Sequence, residues 1–573
     1  MSEIITLSYG LICNNTVTHL YNTQESLISY TPSSKPNHDL QVFLTRFKST
    51  SVSYSPRALI YDLRNGLGAL NKYEYHETLP VDLNFSLLST NTTAPAGAET
   101  GAGSSLESGY NLKKSRVEKN EYQQKLDQGV TDGSSLNVNN TKYWTDYNKL
   151  IYNPKSSTTV NNFVHNENNH ESGYHYNFNS LKYDSFNIGQ EEFKACNNGN
   201  GGYGYDDNDN NKSIENFRYF LEKTDRLQGL QLLTNLNDAW GGFTSEMLID
   251  LIDEFFNNTS SDKQNLWIYG IMNSTKLSEK TQSIRTKLSF IKTLIELTKQ
   301  LSLIFPMNLN NSKDESWHNN YSMLTDKYNS SSNWHQSSLY ATFINSIWGL
   351  NNQLKNQISM THLQNDIVKL NPNQKIINQI KIKQEKSGNG DKQNQLFGSD
   401  LNQFNLKDIV NLKDLSNLGK SSDTSATQRE INLGISKNAS TNTGNDAYHN
   451  FVQNRISSST SQNERMMKDK EQEQNGIINN YLNPYIDNIF QVETFPVDIL
   501  KSSSNAINIS TEFNVNDGLK SYLKPYIKLV SNIRNQHREY LDIIEDKEEL
   551  LENLNNINQE YSYGYESDDE DYE

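Results

Sequence analysis

The sequence predicts an α/β fold whose first domain is a doubly wound parallel sheet. Three stretches carry that expectation. In the first, residues 229–236 alternate, with Leu230, Leu232, Thr234 and Leu236 on one face. A glycine-containing turn, NDAWGGF (237–243), follows. Met247, Leu248, Leu251, Ile252 and Phe255 then recur at helical spacing, with Thr244 or Ser245 as the expected cap. NLWIYGI (265–271) is the next strand, which completes a β–turn–α–β unit of the kind that builds doubly wound sheets. In the second stretch, ALIYDL (58–63) is a short apolar run behind Pro56, as in a parallel strand buried on both faces. In the third, EIITLSY (3–9) reads as a strand ending at Gly10. Asn14 is the expected cap of a helix carrying Val17, Leu20, Tyr21 and Gln24.

Further along, Leu288, Ile291, Leu294, Ile295 and Leu301 suit one helix, and Leu339, Phe343, Ile344 and Ile347 suit a second. A third is expected within about 515–555. The expected organisation is an N-terminal domain over 1–271, then a second α/β region with long helices over 272–383 and 475–555.

Composition sets limits on this plan. The hydrophobic share is 34% and mean hydropathy is −0.77, low for a chain of 573 residues that folds throughout. Asn, Ser and Gly crowd residues about 91–140, 157–212 and 384–474. These are expected to be disordered insertions at surface loops, unable to bury enough apolar area to offset ~1–2 kcal/mol of backbone entropy per residue. Deletion of 390–470 is expected to leave the melting transition nearly unchanged. Residues 556–573 form an acidic tail, ending YESDDEDYE.

Charge excludes some functions. There are 52 Lys and Arg against 68 Asp and Glu, a net −16, which argues against a phosphate-backbone binder and so against direct nucleic-acid contact. Two cysteines, Cys13 and Cys196, exclude a disulfide framework and a cysteine-based zinc site. No run approaches ~18 apolar residues. The N-terminus, MSEIITLSYG, lacks a basic residue and carries Glu3, unlike a signal peptide or an Arg-rich presequence. Action at an organelle is therefore expected from its cytosolic side, by peripheral association.

Candidate chemistry is sparse. In doubly wound folds a glycine-rich turn and helix N-terminus at a strand end hold phosphate. Here Gly241 and Gly242 permit close approach, but Asp238 is wrong for an anion site and Trp240 and Phe243 are bulky. His165, His170 and His175 are evenly spaced but lie in an Asn-rich tract, where histidines collect without a metal. Cys13 reads as a buried thiol near a strand end. No metal site and no catalytic group is expected. In the tail, Glu566, Asp568, Asp569, Glu570, Asp571 and Glu573, punctuated by tyrosines, read first as a solvated run and second as a docking motif.

Several segments resemble the tubulin superfamily. DRLQGLQLLTNL (225–236) is similar to the strand before the tubulin phosphate loop, and that loop, GGGTGSG, falls on 237–243 with only Gly241 matching. SEIITLSYGLICNNTVTHLY resembles the first strand, loop and helix, with Gly10 and Asn14 retained and Leu11, Ile12 and Cys13 departing from the pattern. SPRALIYDL (55–63) keeps Asp62, while Arg64 stands where tubulins carry an acidic residue that assists magnesium. Within the superfamily the likeness is to the Misato family, in its fungal branch. It rests on ITLSYG, on His19-Leu20-Tyr21-Asn22 with Gln24, and on PRALIYDLRNGLGAL. It also rests on YWTDYNKLIYNPKS (143–156) and FLEKTDRLQGLQLLTNLNDAWGGF, with a weaker echo in WHQSSLYATFINSI (334–347).

That resemblance implies a tubulin-like fold and a vestigial nucleotide pocket at Gly10, Asn14, Asp62, Gly241 and Gly242. It implies a role in mitochondrial inheritance, distribution and morphology, with partitioning of mitochondrial DNA. The expected protein is non-enzymatic, without a resident cofactor, placed at the mitochondrion and in the cytoplasm, with protein partners at the mitochondrial surface or cytoskeleton. Two alternatives remain open: a GTP-binding, polymerising GTPase like the tubulins proper, and an assembly partner of cytoskeletal proteins.

Overall fold

A computed structural model describes residues 3–28, 36–48, 52–70, 117–165, 173–178, 180–197, 212–256, 264–272, 280–309, 322–384, 395–401, 448–458, 476–501, 507–533 and 538–563. The strands in chain order are β1 Glu3–Tyr9, β2 Leu44–Lys48, β3 Val52–Pro56, β4 Ala58–Arg64, β5 Ser157–Val164, β6 Tyr174–His175 and β7 Leu227–Asn235. They continue as β8 Asn265–Met272, β9 Leu303–Asn308, β10 Gln379–Gln384, β11 Gln395–Asp400, β12 Asn450–Ser457, β13 Ile477–Leu482 and β14 Ile509–Asn516.

Seven strands form the first sheet, in the order β6-β5-β4-β1-β7-β8-β9. Every pairing is parallel except β5 with β6. From β1 the chain builds outward through β4 and β5, then returns to place β7 on β1's other side. The order reverses between β1 and β7, so the ligand crevice of this architecture lies beyond Tyr9 and Asn235. β1, β7, β8 and β9 are near-continuously buried, as parallel strands covered on both faces must be.

The second sheet runs β11-β10-β14-β12-β13, antiparallel except for β12 with β13. Between the sheets lies the helix Asn333–Asn352, buried on nearly all sides. Its Phe343 ring sits 5.9 Å from Phe305 of β9 and 6.0 Å from Phe513 of β14, joining the two halves in one core.

Several expectations require correction. β9 belongs to the first sheet and the helix Lys280–Gln300 connects β8 to it, so the first half runs past 271. The expected helix within 515–555 is three helices, Gly518–Asn532, Arg538–Ile544 and Lys547–Glu560, and Tyr561 is still core.

The polar stretches are not wholly insertions. Residues 117–140 contain the helix Glu121–Asp127, closed by a capping box between Asn120 and Gln123. Residues 157–212 contribute β5, β6 and the helix Phe186–Asn197. Residues 384–474 contribute β11 and β12, and β12 lies between β14 and β13. Deletion of 390–470 would therefore dismantle the second sheet. Low overall hydrophobicity concealed these elements because a few inward residues suffice, such as Phe163 in β5 and Val452 and Ile456 in β12. Residues 91–116, 166–172 (with His170), 179, 198–211, 385–394, 402–447, 459–474 and the tail from 564 lie outside the described residues.

Candidate functional site: the crevice between β1 and β7

Gly10 follows β1 and caps the helix Leu11–Ser26 at φ 87°, a conformation open to glycine and strained for other residues. Asn14 lies inside that helix and does not cap it. Its amide donates to Tyr61 O at 3.0 Å and to Asp62 Oδ2 at 3.0 Å, and its oxygen accepts from the Ser8 hydroxyl at 2.7 Å. Asp62 also accepts the Leu63 N–H at 2.8 Å, and burial pushes its carboxyl up to about 6. Gly10, Asn14 and Asp62 are therefore assembled at the sheet's carboxyl edge.

Gly241 and Gly242 are placed otherwise. The helix here begins at Ala239, so Gly241 and Gly242 lie within its first turn. A Cβ on Gly241 would collide with Thr293 of the Lys280–Gln300 helix. One on Gly242 would collide with the Phe186 carbonyl of the Phe186–Asn197 helix. The close approach these glycines permit is between packed helices.

The cap is Asp238, not Thr244 or Ser245. Its Oδ1 accepts the Trp240 N–H at 2.9 Å and its Oδ2 accepts from the Asn235 amide at 2.7 Å. A carboxylate of the protein thus sits at the helix N-terminus, where this architecture otherwise places phosphate. Burial pushes the Asp238 carboxyl up to about 7.

Aromatic side chains fill the neighbouring space. A Cβ on Gly10 would lie 2.6 Å from the Trp240 indole Nε1. Trp240 meets Tyr183 edge-on at 5.1 Å and Phe243 at 5.6 Å, while Tyr9 stacks on Tyr61 at 5.0 Å. The Cys13 thiol donates to Asn235 Oδ1 at 3.7 Å, and burial raises its pKa well above the ordinary range. Arg64 is exposed, with its guanidinium 5.3 Å from the Tyr176 ring centroid. Sequence reasoning missed the role of Asp238, although an Asp just before a helical run is a cap signal. It also missed Tyr183, for which no local pattern exists.

The family-marking segments meet a short distance away. His19 Nε2 lies 3.2 Å from Trp334 O. The Asn22 amide donates to Tyr147 O at 2.8 Å and to Thr494 Oγ1 at 3.0 Å. Tyr147 donates to Asn15 Oδ1 at 2.8 Å, and Asn352 donates to Gln24 Oε1 at 2.8 Å. His165 is buried beside Tyr143 and His175 packs on Tyr176 and Phe178. Among the described residues, no group of three or more His, Cys, Asp or Glu side chains could hold a metal ion. Among those residues, too, no helix is long and apolar enough to cross a membrane.

Fold and crevice define a tubulin-like protein in which Asp238 caps the helix after β7 and Trp240 packs against Gly10. Residues 2–128 match the Misato Segment II tubulin-like domain, and residues 133–354 match the Tubulin domain. Protein DML1 of Candida albicans is 99% identical over 573 residues, spanning 100% of each chain. Protein DML1 of Scheffersomyces stipitis is 33% identical over 583 residues, spanning 100% of this chain and 99% of its own. Protein DML1 of Debaryomyces hansenii is 32% identical over 579 residues, with 100% of both chains covered. The chain belongs to the Misato family of tubulin-like proteins, among its fungal DML1 members.

Proposed function

We propose that the protein is a non-enzymatic tubulin-like factor needed for mitochondrial inheritance, distribution and morphology, including partitioning of mitochondrial DNA. On this reading it works peripherally from the cytosolic face of the mitochondrion and from the cytoplasm. It acts by binding proteins of the mitochondrial surface or cytoskeleton, without direct contact with nucleic acid. The observation that carries the non-enzymatic part is the pairing of Trp240 against Gly10 with Asp238 on the Trp240 N–H. A triphosphate there would have to displace an indole and sit beside a carboxylate. Two unit charges 4 Å apart at an effective dielectric of ~20 repel by about 4 kcal/mol, a penalty that applies in full only above about pH 7, where the Asp238 carboxyl is ionised. The mitochondrial part is supported by the family resemblance.

The test of the first part is equilibrium binding of GTP to purified protein with magnesium present. The expected result is no micromolar affinity and no turnover above background. Micromolar binding that is lost on Gly10→Trp but kept in a surface variant would favour the GTPase reading. That second reading draws on one observation, the Asn14–Asp62 pair still assembled beside Gly10. For the cellular part, depletion should alter mitochondrial distribution before general metabolism, and carbonate should extract the protein from mitochondria. Protease protection inside intact organelles would contradict the peripheral placement.

A further inference from the structure

β6 closes one edge of the first sheet, and side chains at that edge are left unused by the fold. Four residues stand in register across it: Arg64 opposite Val164, Val164 opposite Tyr174, and Tyr174 opposite Lys182. Residues paired in register share a face of the sheet, so two cations bracket Val164 and Tyr174, about 14 Å apart at ~4.8 Å per strand. Tyr176 lies beside Arg64, whose guanidinium is 5.3 Å from its ring centroid. Arg64 and Lys182 are exposed, and neither forms an ion pair among the described residues. Carboxylates close in sequence are turned to other partners. Asp184 faces Arg285 at 3.7 Å, and Glu192 accepts the Asn161 and Asn162 N–H groups at 2.7 and 2.8 Å.

Between the cations the chain presents apolar side chains to solvent. Tyr176 is 47%, Phe178 63% and Leu181 40% exposed, and no large hydrophobic side chain among the described residues is more exposed than Phe178. They are held in place by the backbone. The His175 N–H donates to Leu181 O at 2.9 Å, the Leu181 N–H to Phe178 O at 2.9 Å, and the Tyr176 N–H to Asn162 O at 3.0 Å. The His175 ring lies 5.4 Å from Phe163 of the core and 5.1 Å from Phe178. The exposed ring therefore stands on an aromatic column rooted in the sheet.

We infer that this edge docks on an anionic phospholipid bilayer, with Phe178, Tyr176 and Leu181 entering the boundary between headgroups and acyl chains and Arg64 and Lys182 meeting lipid phosphates. The inference rests on the peripheral placement proposed above. Aromatic side chains favour that boundary, and cations beside it are drawn to anionic headgroups. The size of the patch favours a bilayer over a protein, since a stable protein interface takes roughly 20–30 residues from each partner. The net charge of −16 does not oppose docking, because at physiological ionic strength charges beyond about 8 Å are largely screened and the local cations decide.

The test is flotation of the purified full chain with phosphatidylcholine vesicles, made with and without phosphatidylserine. The parent should float with the anionic vesicles far more than with the neutral ones. Phe178→Asp should weaken binding at least about tenfold, through loss of one buried aromatic side chain. Arg64→Gln/Lys182→Gln should remove the phosphatidylserine preference, about thirtyfold for two cations. Leu370→Asp, at a side chain 56% exposed, should float like the parent. All of these positions are exposed, so the variants should melt with the parent. Flotation of Phe178→Asp equal to the parent, an unchanged preference in Arg64→Gln/Lys182→Gln, or an equal loss in Leu370→Asp would each overturn the inference. So would a parent that floats with neither vesicle. If that parent still sediments with isolated mitochondria, and ceases to once their surface proteins are trimmed by protease, a protein is the occupant and the peripheral placement stands. Vesicle binding that needs Phe178, with no recovery on mitochondria, would support the inference and remove the placement.

Discussion

The Trp240 indole packs directly against Gly10, so that the end of β1 and the start of the Ala239–Leu251 helix are fitted to each other. No side chain other than hydrogen fits at position 10 while Trp240 is in place. Gly10 also holds a φ of 87° that costs other residues about 1–3 kcal/mol. Gly10→Ala should therefore destabilise by strain plus overpacking. Trp240→Ala should cost about 3–5 kcal/mol through the cavity it leaves. In the Trp240→Ala background the overpacking part of the Gly10→Ala cost should vanish and the backbone part persist. Urea unfolding of the four proteins in this cycle measures the coupling, and strict additivity would show that the two residues do not meet.

Asp238 makes a pH-dependent contribution of defined sign. Its folded-state pKa is raised to about 7 by burial, above its unfolded value. The folded protein then holds the proton more tightly, so this group's stabilisation is complete below about pH 4 and is lost as pH rises through about 7. The loss is at most about 4 kcal/mol. Asp238→Asn keeps an acceptor for the Trp240 N–H and cannot ionise. Its stability relative to the parent should improve steadily from pH 4 to 8. A difference independent of pH would mean that the Asp238 carboxyl is not buried at the helix start.

Much of the first sheet was legible because parallel strands buried on both faces announce themselves as apolar runs, as in Ala58–Arg64 and Asn265–Met272. β5 and β12 were hidden for the opposite reason. STTVNNFV and NFVQNRIS are mostly polar, and each is held by partner strands that lie far away in sequence. In the crevice, the residues that matched a pattern did not all share a role. Gly10 and Asn14 line one edge, whereas Gly241 and Gly242 seat the Ala239–Leu251 helix on its neighbours. Matching glycines to a loop shows only that Asp238 stands where a glycine is expected; that its carboxylate caps the helix from Ala239 needed the backbone geometry.

His19 acts in the opposite direction to Asp238. Burial lowers its pKa to about 3, and the nearby His335 is lowered to about 4. The folded state excludes the proton that the unfolded chain binds near pH 6.5, so stability present above that pH is lost as pH falls towards 3. The full loss from His19 is about 5 kcal/mol. His19→Phe should flatten this limb while leaving the Trp334 carbonyl its Ser337 hydroxyl, 3.2 Å away. Denaturation of parent and variant at pH 4 and pH 7 checks this. Asp62 and Asp146, both raised to about 6, slope the other way, so the comparison must be between variants.

The last prediction concerns Lys149, which joins three separate parts of the chain. Its ammonium pairs with Glu25, in the last turn of the first helix, and with Glu493 at 2.8 Å. Its backbone N–H donates to Asn22 Oδ1 at 3.0 Å, and Asn22 in turn holds Tyr147 and Thr494. Burial alone would lower the Lys149 pKa, but the two carboxylates outweigh it and the ammonium is held charged. Removing it leaves Glu25 and Glu493, their side chains 15% and 27% exposed, facing each other without the cation between them. Lys149→Met should cost about 1–3 kcal/mol, between an exposed and a fully buried orphaned charge, because both carboxylates keep some contact with solvent. Because the defect is electrostatic, Lys149→Met/Glu25→Gln/Glu493→Gln should regain part of that loss, where simple loss of contacts would deepen with each substitution. Thermal unfolding of the single and triple variants distinguishes the two. A triple variant less stable than Lys149→Met would show that packing of the side chains, and not their charge, joins these parts.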